Sequence, residues 1–210
     1  MRFPACSLIL LLLAGCQSVY YNTMEQFGVE KRDILVDRVE EARDAQEDSK
    51  EVFQSALDQF SELVGFEGGD LEATYDLLND RFENSRKAAE RVRERIDAIE
   101  SVARALFREW ESEIEQYTSE DLRRRSQTAL EQTRDRYSGM IRAMRAAESR
   151  MNPVLDLFRD QVLFLKHNLN ARAVASLDTE AAAIGEQVRR LIREMETSIA
   201  EADAFIQEMR

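Results

Sequence analysis

The chain has little of what punctuates or arms most folds. Its 210 residues include two cysteines, two prolines, seven glycines and one histidine. So few turn residues exclude an all-β architecture, which needs a tight turn after every short strand. The lone histidine, His167, has Phe164 three residues before it. The paired Glu-x-x-His sites of helical di-iron proteins are therefore absent, and zinc has no His/Cys set to hold it. A Ser-His-Asp triad could draw only on His167, and no strand–turn–helix elbow presents a serine. The glycines, at Gly15, Gly28, Gly65, Gly68, Gly69, Gly139 and Gly185, fit neither a phosphate loop nor a dinucleotide fingerprint. The expectation is a protein that is not an enzyme and has no catalytic, cofactor-binding or metal site.

Basic charge is also in deficit. There are 29 Lys and Arg against 41 Asp and Glu, a net charge of −12. Such a surface repels nucleic acid and anionic lipid headgroups, so neither is expected as a partner. What the chain does have is 44% hydrophobic and 33% charged residues, too apolar for a disordered polymer. Abundant Ala, Glu, Arg, Leu and Gln point to long helices.

Residues 1–16 read MRFPACSLILLLLAGC. Arg2 gives a positive start, and Ser7 to Leu13 form an apolar run far short of the roughly 20 residues that span a bilayer. The run ends in Leu13-Ala14-Gly15-Cys16, which matches the bacterial lipobox at all four positions. Residues 1–15 are expected to be a lipoprotein signal peptide, with cleavage before an acylated Cys16. Cys6 leaves with the leader, so no disulfide is expected. Two or three acyl chains, at about 0.8 kcal/mol per buried CH₂, anchor a protein without help from its surface. Gln17 in place of Asp after the cysteine implies transfer to the outer membrane in a two-membrane host. Residues 16–210 would then face the periplasm from its inner leaflet.

The remainder is organised by a heptad rhythm. Leu71, Tyr75, Leu78, Phe82, Ser85, Ala89, Val92, Ile96, Ile99, Ala103, Leu106 and Trp110 follow alternating steps of four and three, the mark of coiled-coil packing. This predicts a helix over about 70–116, with Asp70 as N-cap. Leu35, Val39, Ala42, Gln46, Ser49, Phe53, Ala56, Phe60 and Leu63 carry the same rhythm over about 19–64, interrupted by Gln46 and Ser49. Gly65 to Gly69 would join these helices as an antiparallel hairpin, each arm about 70 Å long. A third helix starts near Thr118 or Ser119, with Leu122, Ala129, Tyr137, Met140, Met144, Ala147 and Met151 on its apolar face. Asn152-Pro153 is expected to interrupt it with a kink. The seam resumes through Leu155, Phe158, Val162, Leu165 and Leu169. The last helix carries Ala181, Ile184, Val188, Leu191, Met195, Ile199, Ala202 and Ile206. Its start is open between a turn at His167 to Asn170 and one at Ser176 to Thr179; the unbroken apolar rhythm through Leu169 favours the second. The expected fold is all-α: an elongated antiparallel bundle or coiled coil of about four long helices, packed within one chain as a monomer.

Four polar features stand out from this pattern. Carboxylate pairs such as Glu40-Glu41, and the run from Glu109 to Glu115, sit beside arginines at spacings of solvent-exposed ion pairs. Arg123-Arg124-Arg125 lies where positive charge opposes a helix dipole; pairing with acids across the bundle is expected, with docking of an acidic partner as the alternative. Lys166, His167, Asn168 and Asn170 break an apolar stretch, as a turn or solvated face or as a patch for a protein partner. Ser49, Ser85 and Gln46 on the seams leave room for imperfect packing, hence for a lipid or other apolar ligand.

Three blocks carry a resemblance. They are KRDILVDRVEEARDAQE at 31–47, DQVLFLKHNLNARAVASL at 160–177 and SIAEADAFI at 198–206. Together the chain resembles an uncharacterised family of bacterial lipoproteins, domain of unknown function 2959. The resemblance implies a helical, coiled-coil-rich protein with no established activity, and it supplies no functional residues. The functional expectation is a structural, scaffold or adaptor role in the cell envelope with an unidentified envelope protein as partner. A helical binding module for an apolar ligand is the alternative.

Overall fold

The computed structural model describes residues 30–64, 71–168 and 177–210. Four helices account for nearly all of them: α1 (Lys31–Val64), α2 (Leu71–Ile114), α3 (Glu120–His167) and α4 (Asp178–Met209). Their 34, 44, 48 and 32 residues correspond to roughly 50, 65, 70 and 50 Å. The all-α expectation holds, and no strand occurs among the described residues. The expected start of the first helix near residue 19, the Gly65–Gly69 turn and the Asp70 cap lie outside them.

α1 and α2 contain neither glycine nor proline, so nothing in their sequences interrupts the backbone ladder. α3 starts where Ser119, in extended backbone, accepts a hydrogen bond from the Leu122 amide at 3.4 Å. That cap satisfies one of the orphan donors of a helix start. Asn152-Pro153 does not interrupt α3, contrary to expectation: the helix continues through Pro153 to His167. A proline removes one donor and crowds one carbonyl. Met151, Val154 and Phe158 around it are all within 1% of complete burial, and that packing holds the helix in place.

The last connection takes one boundary from each expected alternative. α3 stops at His167, with the Asn168 amide bonded to the Leu165 carbonyl. α4 starts at Asp178 behind Leu177, which makes no side-chain cap. The apolar rhythm that favoured a helix through Leu169 did not extend α3 past His167; Leu169 lies outside the described residues.

The helices form an up-down-up-down ring in which α1 packs on α2 and α4, and α3 packs on the same two. Cross-helix partners fix the direction. Lys31 meets Glu109 and Glu41 meets Arg95. Arg43 meets Asp203, and Arg210 meets Glu40. Arg93 meets Glu148, Arg134 meets Glu111, Arg150 meets Glu194 and Arg136 meets Glu208. Every neighbouring pair is antiparallel, so the start of α1 and the end of α4 share one end of the rod.

The core is one continuous cluster along the rod. Every seam residue expected in α1 is buried, including Gln46 and Ser49. Three expected positions fail. Ala129 is only half-buried, because Leu130 beside it takes the seam position. Leu122 is 50% exposed, because the α3 seam enters through Ser126, Leu130, Thr133 and Tyr137. Ile199 is only half-buried, because Ser198 takes the seam position and is fully buried. Aromatic rings stack edge-to-face near the end that holds Lys31: Phe107 with Tyr137 at 5.4 Å, and Tyr137 with Phe205 at 6.5 Å.

Candidate functional site

The polar residues inside the bundle come first, because they were expected to leave space. The serines among them are held by hydrogen bonds. Ser198 Oγ donates to Gln46 Oε1 at 2.7 Å, tying α4 to α1 in the core. Ser49 Oγ donates to the Ala45 carbonyl at 2.7 Å and reaches the Ala88 carbonyl of α2 at 3.5 Å. Ser85 Oγ donates to the Arg81 carbonyl at 2.9 Å. One atom of this layer, Gln46 Nε2, is buried without a partner. The seam serines are short enough to bond nearby carbonyls from within the core.

A second polar cluster lies between α2 and α3. Arg145 donates to Asp97 at 2.5 Å, Glu100 at 3.0 Å and Glu148 at 3.0 Å. Arg93 donates to the other oxygen of Glu148 at 2.9 Å. Burial alone would raise the Glu148 carboxyl; the hydrogen bonds from Arg93 and Arg145 outweigh it and hold Glu148 below the ordinary glutamate value. Tyr137 nearby is pushed up to about 12, first by burial and then by the charge of Glu100. Arg93 and Arg145 favour the charged form of Glu148, so the cluster acts as a brace between α2 and α3.

The other sequence candidates resolve locally. Arg123 pairs with Glu120, while Arg124 and Arg125 pair with Asp121, all inside the first turns of α3. Pairing across the bundle was expected; the i,i+3 and i,i+4 spacing supplies nearer acids. Arg123 also donates to the Tyr117 carbonyl at 2.8 Å. Lys166 and His167 are exposed in the last turn of α3, where positive charge suits the helix dipole. Asn168 Nδ2 donates to the Phe164 carbonyl at 2.9 Å. Helix termination thus gives these three residues a local role. Asn170 and Cys16 lie outside the described residues.

The feature that sequence reasoning missed is a cavity of about 580 Å³ at the end of the rod shared by the start of α1 and the end of α4. Such a volume falls within the range of small-molecule sites. Leu106, Trp110 and Met209 supply apolar wall. Two ion pairs frame it, Lys31 with Glu109 at 2.9 Å and Arg136 with Glu208 at 2.5 Å. Trp110 Nε1 donates to Ser126 at 2.8 Å, which fixes the indole and satisfies its only donor. Thr133, also in the wall, is 5% exposed. Its hydroxyl has no hydrogen-bond partner among the described residues. The signal that could have found Thr133, though not the cavity, was the four-three spacing through Ser126, Leu130, Thr133 and Tyr137, in which a polar residue holds a core position.

Among the described residues no group of three His, Cys, Asp or Glu side chains is placed to hold a metal ion. No described helix is long and apolar enough to cross a membrane. A family model described as "Protein of unknown function (DUF2959)" matches residues 20–209. No curated protein and no solved structure matches the chain.

Proposed function

The chain belongs to the DUF2959 family, and on that premise we propose that it is a lipid-anchored spacer or adaptor of the cell envelope. The observation that carries this reading is the rod itself. Its seams are filled along the described length by apolar side chains and short hydrogen-bonded serines, and its charges are largely consumed in ion pairs between and along helices. A body built this way spans distance and presents faces. The lipobox supports a tether at Cys16, 15 residues before the first residue of α1. The rod would then stand off the inner leaflet of the outer membrane, in the periplasm, with an envelope protein as its partner.

Cys16→Ala tests the tether. The expected outcome is an unprocessed chain that no longer takes up labelled palmitate. A Cys16→Ala protein cleaved normally and still held in the membrane fraction would sink the anchor. Cross-linking in intact cells, followed by mass spectrometry of what a tagged copy captures, tests the adaptor role. Repeated recovery of one envelope protein is the expected result.

A second reading, a binding module for an amphipathic ligand, is favoured by the end cavity alone. The closed polar layer at Gln46, Ser49, Ser85 and Ser198 argues against a ligand held midway along the rod.

A further inference from the structure

We propose that the end cavity is a binding site for a compact zwitterion, one bearing an ammonium and an anionic group beside an apolar portion. The proposal gives chemistry to the second reading above and does not depend on the tether at Cys16.

The argument starts from which groups in the wall are already used. Lys31 and Glu109 hold each other, as do Arg136 and Glu208. Glu30, Glu113 and Arg32, all exposed, line the same space and form no ion pair among the described residues. The uncommitted charges are therefore two carboxylates and one guanidinium. Trp110 lines the cavity with an indole whose N–H is already spent on Ser126, so its apolar ring is what it can offer a ligand. A tryptophan face beside carboxylates attracts an ammonium group. A free guanidinium suits a phosphate or carboxylate. One ligand can satisfy both only if it carries both charges.

Thr133 is the independent observation. Thr133 is 5% exposed and borders the cavity, and its hydroxyl forms no hydrogen bond with the described residues. That hydroxyl is not among the polar atoms sealed from solvent without a partner, so it opens onto the cavity and can bond a ligand atom placed there. Leu106 and Met209 provide apolar surface for a short hydrocarbon portion. The shared ligand chemistry is that of an ethanolamine-type phospholipid headgroup or of a free aminoalkyl phosphate.

Trp110 is the only tryptophan in the sequence, so its emission reports on this cavity alone. The test titrates the full chain, held in an uncharged maltoside detergent, with dihexanoyl phosphatidylethanolamine, with phosphoethanolamine and with dihexanoyl phosphatidylglycerol. A saturable change in Trp110 emission with phosphatidylethanolamine only supports the site and assigns it to lipid. Equal binding of phosphoethanolamine supports the site and assigns it to a free zwitterion. Two variants sharpen the result. Thr133→Val is expected to weaken binding by about fivefold to tenfold, the worth of one hydrogen bond, while the unliganded protein melts at the same temperature or higher. Glu113→Gln is expected to weaken binding of the ammonium-bearing ligands. The proposal is overturned if no ligand saturates, if phosphatidylglycerol binds as well as phosphatidylethanolamine, or if Thr133→Val binds like the parent.

Discussion

At the scale of single residues, the bundle contains both slack and constraint. Gly139 lies in α3, and a methyl group built on it meets nothing within 4 Å. Gly139→Ala should stabilise the protein by about 0.5–1 kcal/mol, because the glycine gains nothing from its freedom there; urea denaturation of both proteins checks it. Ser198 is the opposite case. Ser198→Ala leaves Gln46 Oε1 buried without its donor and should cost about 1–3 kcal/mol. Adding Gln46→Leu should recover most of that loss, since removing both partners of a buried polar pair is far cheaper than removing one. A double-mutant cycle in urea measures the coupling, and additive losses would contradict it. These two residues also mark where the sequence could and could not be read. Gln46 was visible because it interrupted an otherwise apolar seam. Its partner Ser198 was not, because Ile199 beside it also fits a loose heptad and a hydrophobicity pattern prefers the isoleucine. Thr133 was passed over for the same reason, with Leu122 taken as the apolar start of the α3 seam.

At the scale of elements, periodicity located helices better than punctuation did. Both boundaries of α2 that fall among the described residues agree with the expected span to within about two residues. Ser119 was one of the two starts expected for α3, and it supplies the capping side-chain bond. Pro153 was over-read as an interruption, because a local rule about one donor and one carbonyl competed with burial of three large side chains around it. Pro153→Ala should therefore raise stability by about 1–3 kcal/mol by restoring the amide facing the Ser149 carbonyl, read as a higher thermal midpoint. The α2–α3 brace gives a pH dependence. The Glu148 carboxyl is depressed in the folded protein. Its contribution is thus fully present above the ordinary glutamate value and is lost as pH falls through the lower, folded value. Glu148→Gln should flatten the acid limb of stability between those two values. An unchanged acid limb would show that Arg93 and Arg145 do not read this carboxylate.

At the scale of the whole molecule, the four seams are satisfied within one chain, so sedimentation equilibrium should return the mass of a single copy. A stable dimer would mean that a further apolar face is covered by a second molecule. The number of helices was readable because each carries its own heptad run. The cavity was not, because it is made where four distant segments converge and no segment announces it. One more property follows from an even number of antiparallel helices. The start of α1 and the end of α4 lie side by side, with Arg210 paired to Glu40 and Arg43 to Asp203. A pull that separates these two ends therefore loads the α1–α4 seam in peeling and not in shear. Each ion pair and core layer then bears the tension alone and in turn, so the rod opens at low force from that end, like a zip. Pull instead on opposite ends of two neighbouring helices, and all layers of their seam share the load at once. As a mechanical part, the molecule is compliant when drawn apart at its paired termini and stiff when loaded along its length.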